Sequence, residues 1–525
     1  MSTSTEPAAR QNNVAAQGSV VAGMTLLSRI SGFARDMVLS YFFGAGAAAD
    51  AFFVAFRIPN FFRRLFAEGA FAQAFVPVLA RYRDESPSTY LAFVAAVAGN
   101  LALAVWAVVL LGVVFAPALV VVFAPGFWDA PDQFDIATGM LRVTFPYLGF
   151  ISLTAFAAAL LNSHGRYAIP AFTPVLLNLS LIGAMLFATG AFEEPVYALA
   201  WGVFVAGLAQ LAFQIPSLVR LGLLVVPRPS LSHPGVRQVG RLLLPAMFAA
   251  SVSQINTLID TMLASTLTTG SISWLYYADR LLELPIGLVA VALGTVLLPN
   301  LSRLASSGDR EGFTATLEWG LRMGALLGMP AAVALYVLAL PLVATLFLRG
   351  AMTPLDALMA SLAVQAFALA LVPLVMVKVV APAYFSREDT ATPFRFAVVA
   401  VSTNVALNLA LFSWFGHVGL AFATAAAAWV HAWLLVRGLL RPAHPGLIAL
   451  SPSRQLLVSL ARSAAAAVAM GIGLWWWLPE PAAWIEAASW TRAGWITLCV
   501  AAGGAGYLLL IVLLGERPGR LLHRA

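Results

Sequence analysis

Residues 27–36, LSRISGFARD, and residues 49–69, ADAFFVAFRIPNFFRRLFAEG, are the stretches whose reading decides this fold. Both lie within stretches read as membrane helices. Yet the first carries Arg29, Arg35 and Asp36, and the second Asp50, Arg57, Arg63, Arg64 and Glu68. A charge at mid-bilayer costs about 2.5–3.5 kcal/mol even on the lenient insertion scale, so such a set must face a wet cavity or pair internally. Arg29 and Asp36 stand seven apart, while Arg57, Asn60, Arg64 and Glu68 advance by three or four, which puts each group on one helical face. Ser28, Ser31 and Gly32 keep the adjoining surface small enough for close approach. One reading is mutual neutralisation between helices, or snorkelling at helix ends. The other is an anionic substrate. Arginines outnumber acids five to three in these stretches, Arg280 beside Asp279 and Glu283 adds to them, and the planar guanidinium fork suits phosphate.

The surroundings are those of a membrane protein. Of 525 residues, 61% are hydrophobic and 10% charged, with mean hydropathy +0.88, a balance that no soluble domain of this size could wrap in polar surface. The predicted class is an all-α polytopic membrane protein. Apolar windows bounded by Gly, Pro and charge predict helices near 18–43, 48–80, 90–117, 133–162, 168–190 and 195–219. Six more follow near 239–267, 271–302, 314–347, 356–384, 393–413 and 417–438, then two near 457–478 and 490–514, about 14 in all. The expected organisation is a cytoplasmic tail over 1–17, an N-lobe over 18–219, a basic linker over 220–238, a C-lobe over 239–440, and a final helix pair with the C-terminus over 441–525. The polar residues from Met1 to Gln17 lack the apolar stretch and cleavage site of a signal peptide.

The net charge of +7 does not point to nucleic acid, because the arginines are scattered among short loops. They alternate instead. Arg81, Arg83, Arg166, Arg228, Arg237, Arg303, Arg310, Arg387, Arg441, Arg454, Arg517, Arg520 and Arg524 fall at one set of ends, and acids such as Asp129, Asp132, Glu193, Glu194 and Glu480 at the other. Basic loops stay inside, so both termini are expected in the cytoplasm.

The halves also repeat. A shift of 222 positions sets Phe75 to Arg81 (FVPVLAR) against Leu297 to Arg303 (LLPNLSR), and residues 51–56 against 273–278. With an even helix count per half, the two lobes are expected to be related by a pseudo-two-fold axis along the membrane normal, with a site between them. Asp260, Asn404, Asn408 and Thr424 offer oxygens suited to a hard cation such as sodium, or amides suited to interhelical bonding. No phosphate-binding Gly-rich loop, metal-spaced histidines or nucleophile constellation is present, and Cys499 is the single cysteine, so an enzyme is not expected.

The run from Leu27 to Asp36 resembles the opening of the MurJ (MviN) lipid II flippases of the MOP exporter superfamily. So do residues 49–60, 63–71 and 73–77, and Tyr276-Tyr277-Ala278-Asp279-Arg280 with Glu283 and Pro285 resembles the family's eighth helix. The resemblance implies an inner-membrane flippase of peptidoglycan biosynthesis that works by alternating access. Arg29, Arg35, Arg63 and Arg280 would hold the diphosphate head group, Asp36 would orient them, and Asp50, Arg57, Arg64, Glu68, Asp279 and Glu283 would support or gate. The acyl tail would follow a groove formed by the last two helices. Implied partners are lipid II, membrane lipid and peptidoglycan-synthesis proteins. No cofactor is implied beyond a sodium ion, and Asn408 stands where some relatives have a carboxylate. The rival readings on the same fold are a flippase for another polyprenyl-diphosphate glycan and a multidrug exporter, the latter disfavoured by the arginine surplus.

Overall fold

The computed structural model describes residues 6–66, 70–441 and 452–516, and these contain helices and no strand. They form two compact units, Met1–Thr269 and Gly270–Ala525. The first holds α1 (Glu6–Phe43), α2 (Ala47–Phe66), α3 (Ala70–Arg83), α4 (Pro87–Val114), α5 (Ala116–Phe123), α6 (Pro131–Thr144), α7 (Tyr147–Ser163), α8 (Ala168–Phe187), α9 (Tyr197–Arg220) and α10 (Pro234–Ser265). The second holds α11 (Ser271–Ser306), α12 (Arg310–Val337), α13 (Ala339–Leu346), α14 (Pro354–Phe385), α15 (Ala391–Leu440), α16 (Arg454–Trp477), α17 (Pro481–Glu486) and α18 (Ser489–Leu513).

Among the described residues, nine helices are long and apolar enough to cross a membrane, or ten if the two segments of α11, bent by 43° between Val289 and Leu293, count as one span. The larger number of sequence windows has physical causes. α15 runs for 50 residues and contains two windows, divided at Gly416, whose φ of 55° and ψ of −138° are not helical. α1 and α2 are too polar to pass a composition test, α2 carrying Asp50, Arg57, Arg63 and Arg64 within 20 residues. The last of the additional windows is α10.

Other windows are divided. The window over 48–80 covers α2, described as far as Phe66, and α3, described from Ala70. Proline marks two more junctions: Pro117 opens α5, and Pro146 stands immediately before α7, positions where a missing N–H is tolerated. α1 begins at Glu6, ahead of its apolar window, over a stretch rich in Ala and Gln that favours helix.

In the first unit α1 packs on α8, α8 on α9, α9 on α7, and α2 on α6. Phe71, Phe75 and Phe93 stack in turn and Phe156 tilts against Phe71 and Phe75 to form an aromatic core there, with ring centroids 5.2 Å apart for Phe71–Phe75 and for Phe75–Phe156. α10, which the sequence grouped with the second lobe, packs against α3, α2 and α4. The segment leading to it lies on α4, where the Arg228 N–H donates to the Ala95 carbonyl at 3.0 Å. Gly99 makes this approach possible, because a Cβ there would sit 2.3 Å from the Pro229 nitrogen. In the second unit α14 packs against α11, α12 and α15 through a stripe of fully buried Ala357, Ala360, Ala363 and Ala370, the small-residue surface that lets membrane helices approach closely. α16 joins α12 and α18.

Candidate functional site

The charged residues of α1 and α2 divide into exposed and buried groups. Arg29 is exposed, whereas Arg35 and Asp36, about two turns on, are 5% and 1% exposed. Arg35 donates from Nε and Nη2 to Asp36 Oδ1 at 2.9 and 2.7 Å, and from Nη1 to Asn178 Oδ1 at 3.1 Å. Asn178, buried on α8, returns two bonds to α1: Nδ2 donates to the Ser28 carbonyl at 3.1 Å and to Ser31 Oγ at 2.9 Å. A Cβ on Gly32 would lie 3.4 Å from Asn178 Nδ2, within van der Waals contact, so α8 approaches α1 closely here. Arg35 therefore anchors α1 to α8.

On α2, Asp50 is 2% exposed near the helix start. Arg57, half-buried, donates to Thr261 Oγ1 of α10 at 2.6 Å, and the exposed Arg64 donates to Gln254 Oε1 of α10 at 3.2 Å. These two arginines connect α2 to α10. Arg63, also half-buried, donates from Nε to Asn60 Oδ1 at 2.9 Å, while Asn60 donates to the Phe56 carbonyl. That bond fixes the stem of Arg63 along its own helix. Glu68 lies outside the described residues.

In the second unit Arg280 on α11 pairs with Glu283 at 2.9 Å, bonds the Tyr276 hydroxyl at 3.0 Å, and sits with its guanidinium carbon 5.0 Å from the Tyr276 ring centre. Asp279 beside it is exposed. The pair is partly solvated, so it contributes little to stability and leaves Arg280 competent to exchange partners. Of the expected cation set, Asn404 and Asn408 are buried on the first half of α15. Asn408 donates to Asn404 Oδ1 at 2.9 Å, and Asn404 donates to Thr424 Oγ1, on the second half, at 3.2 Å. Three of the four side chains thus form one polar cluster, and Asp260 stands on α10 in the first unit.

Asn178, Thr261 and Gln254 are the residues that the sequence reading did not single out. Asn178 is an isolated amide in an apolar helix, Gln254 and Thr261 lie among the polar residues of α10, and the partner of each lies more than 140 positions away in the chain. An amide inside a membrane helix is a hint that a partner exists, but not which one.

Comparison with known proteins identifies the family. The family model described as lipid II flippase MurJ matches residues 39–489. The probable lipid II flippase MurJ of Vibrio cholerae is 44% identical over 510 residues, 95% of this chain and 96% of its own length. The lipid II flippase MurJ of Burkholderia cenocepacia is 40% identical over 424 residues, 80% of this chain and 82% of its own. Among solved structures, a lipid II flippase MurJ in an inward closed conformation superposes with TM-score 0.78 at 25% identity, covering 93% of this chain and 97% of that one. An inward-facing multidrug MATE transporter of the MOP superfamily, at 15% identity and TM-score 0.65 over 80% of this chain and 97% of its own, shares the fold. By its sequence over nearly its whole length, and by its fold, this chain belongs to the MurJ family of lipid II flippases.

Proposed function

We infer that this protein is a flippase that carries lipid II across the cytoplasmic membrane, with its head group passing from the inner to the outer leaflet. The observation that carries this reading is the extent of family identity, 44% over 95% of the chain, in a chain whose first two helices carry arginine-rich polar faces. Head-group contact is assigned to Arg29 and Arg63 in the first unit and Arg280 in the second. Each has an exposed or half-exposed guanidinium that can exchange its present partner for a phosphate oxygen. Arg35 is assigned differently from the family-based expectation. Its donors are engaged with Asp36 and Asn178, so its role is to hold the face on which Arg29 is displayed.

The protein is read as a transporter and not a catalyst, in the inner membrane, with the arginine-rich ends and both termini in the cytoplasm. The polar cluster of Asn404, Asn408 and Thr424, with Asp260 as the expected carboxylate, is proposed as a sodium-responsive group. The test of transport is depletion in living cells, followed by measurement of the leaflet in which lipid II accumulates. Accumulation on the cytoplasmic side, reversed by the wild-type chain but not by Arg29→Gln or Arg280→Gln at equal abundance, is the expected result. Unchanged leaflet distribution, or accumulation of a different polyprenyl-linked glycan, would overturn it.

A further inference from the structure

A second group of arginines lies in the second unit, far along the chain from the residues assigned to the head group, at the end of α13. Arg492, only 7% exposed near the start of α18, donates from Nη1 to the carbonyls of Ala344 and Leu348, both at 3.0 Å, and from Nη2 to the Ile485 carbonyl at 2.8 Å. Arg349, half-buried in the turn after α13, donates from Nη2 to the Thr345 carbonyl at 2.9 Å. The two cations thus converge on carbonyls 344, 345 and 348 and are close enough for their charges to repel. Neither forms an ion pair with any carboxylate among the described residues. Asp356, the nearest acid along the chain from Arg349, accepts from Trp274 and Thr353 instead.

Helix-end carbonyls supply partial negative charge, about half an elementary charge per helix terminus, and this does not balance two guanidinium groups in a largely buried position. Buried donors also remain without acceptors here. Nε of Arg349, Nε of Arg492, the Thr345 hydroxyl and the indole N–H of Trp484 have no hydrogen-bond partner. Trp484 is 1% exposed and precedes the Ile485 carbonyl that Arg492 grips. Unsatisfied buried donors are rare, and four of them, two on the uncompensated cations themselves and two beside them, call for an anion with several acceptor oxygens. By the arginine-alternation reading, this end of the helices is the arginine-poor outer one, which makes the pair more unusual still.

We propose that Arg349 and Arg492, with the Trp484 N–H and the Thr345 hydroxyl, form a binding site for a phosphate-type anion at the junction of α13, α17 and α18. Phosphate fits better than a carboxylate because its tetrahedral oxygens can accept from donors that approach on different elements. The site is distinct from the arginines of α1, α2 and α11 and does not depend on the transport reading.

The purified full-length protein in detergent tests this. Inorganic phosphate should raise its thermal midpoint above that in sodium chloride of equal ionic strength. Arg349→Gln should weaken the phosphate dependence about tenfold or more, the usual effect of losing one charge-assisted bond. Trp484→Phe keeps the ring packed on Trp495 and removes only the N–H, so it should weaken phosphate binding with the fold intact, even if the arginine variant is unstable. A second arm compares bilayer discs of phosphatidylglycerol with discs of phosphatidylcholine. Arg349-dependent stabilisation by phosphatidylglycerol assigns the site to a lipid headgroup, and a response to inorganic phosphate alone assigns it to a free anion. No response in either arm, or one that both variants leave unchanged, would overturn the proposal.

Discussion

Arg35 shows how much a single guanidinium's surroundings decide its role. Three of its nitrogens are engaged by neighbours, two on Asp36 and one on Asn178, in a site that excludes water. Removing one member of such a buried pair typically costs about 3–5 kcal/mol, because the other charge is left stranded. Arg35→Lys keeps the charge but cannot span both partners, so a marked fall in thermal midpoint and membrane abundance is expected. Asn178→Ala should do the same on a smaller scale. The two changes should not add, since they remove one network, and a double-mutant cycle should give a coupling of about 0.5–3 kcal/mol. Arg29→Lys, at an exposed position, should leave stability within about 0.5 kcal/mol of wild type and act on lipid II binding instead. An Arg35→Lys protein of normal stability that has lost only substrate affinity would return Arg35 to the substrate. The sequence exposed the presence of these charges because they are improbable in lipid. It could not separate Arg29 from Arg35, since their exposure is decided by α8, whose contribution is one asparagine in an apolar run.

At the scale of elements, the same contrast holds between local and distant causes. The division of α15 at Gly416 was legible, because a glycine between two apolar windows marks a place where helical geometry can stop. Its backbone, at φ 55° and ψ −138°, is one that side-chain-bearing residues rarely adopt, and a Cβ there would meet nothing within 4 Å. The cost of Gly416→Ala is therefore backbone strain alone, about 1–3 kcal/mol, read as a lowered thermal midpoint. Gly183 in α8, also with open space around it but within regular helix, should accept alanine without loss. Equal midpoints for the two variants would contradict the geometry assigned to Gly416. The position of α10 was not legible. Counting helices in sixes places it after the linker, yet Arg57–Thr261, Arg64–Gln254 and the contacts with α3 and α4 hold it in the first unit. Those bonds depend on which helix faces meet, and hydropathy carries no information about that.

For the whole molecule the open quantity is the energy source, and the polar cluster on α15 makes it testable. Asn404, Asn408 and Thr424 now bond one another, so sodium would have to compete with two hydrogen bonds for their oxygens. Amide and hydroxyl oxygens are neutral ligands, and a sodium ion held by them alone would bind weakly; a carboxylate such as Asp260 would supply the missing charge. Flipping in proteoliposomes, at a membrane potential clamped with potassium and valinomycin, should therefore fall when external sodium is replaced by choline. Asp260→Ala and Asn404→Ala should abolish that dependence. Asn408→Asp adds a charge to the cluster and should shift half-maximal sodium to lower concentration, which loss of fold could not imitate. Should flipping respond to voltage and ignore sodium in the wild-type chain, the amides are interhelical bonds, and the membrane potential drives transport. Moving one elementary charge through 100 mV supplies about 2.3 kcal/mol, so a head group with two or more negative charges moving outward from a negative interior would gain enough to bias its direction without any coupled ion.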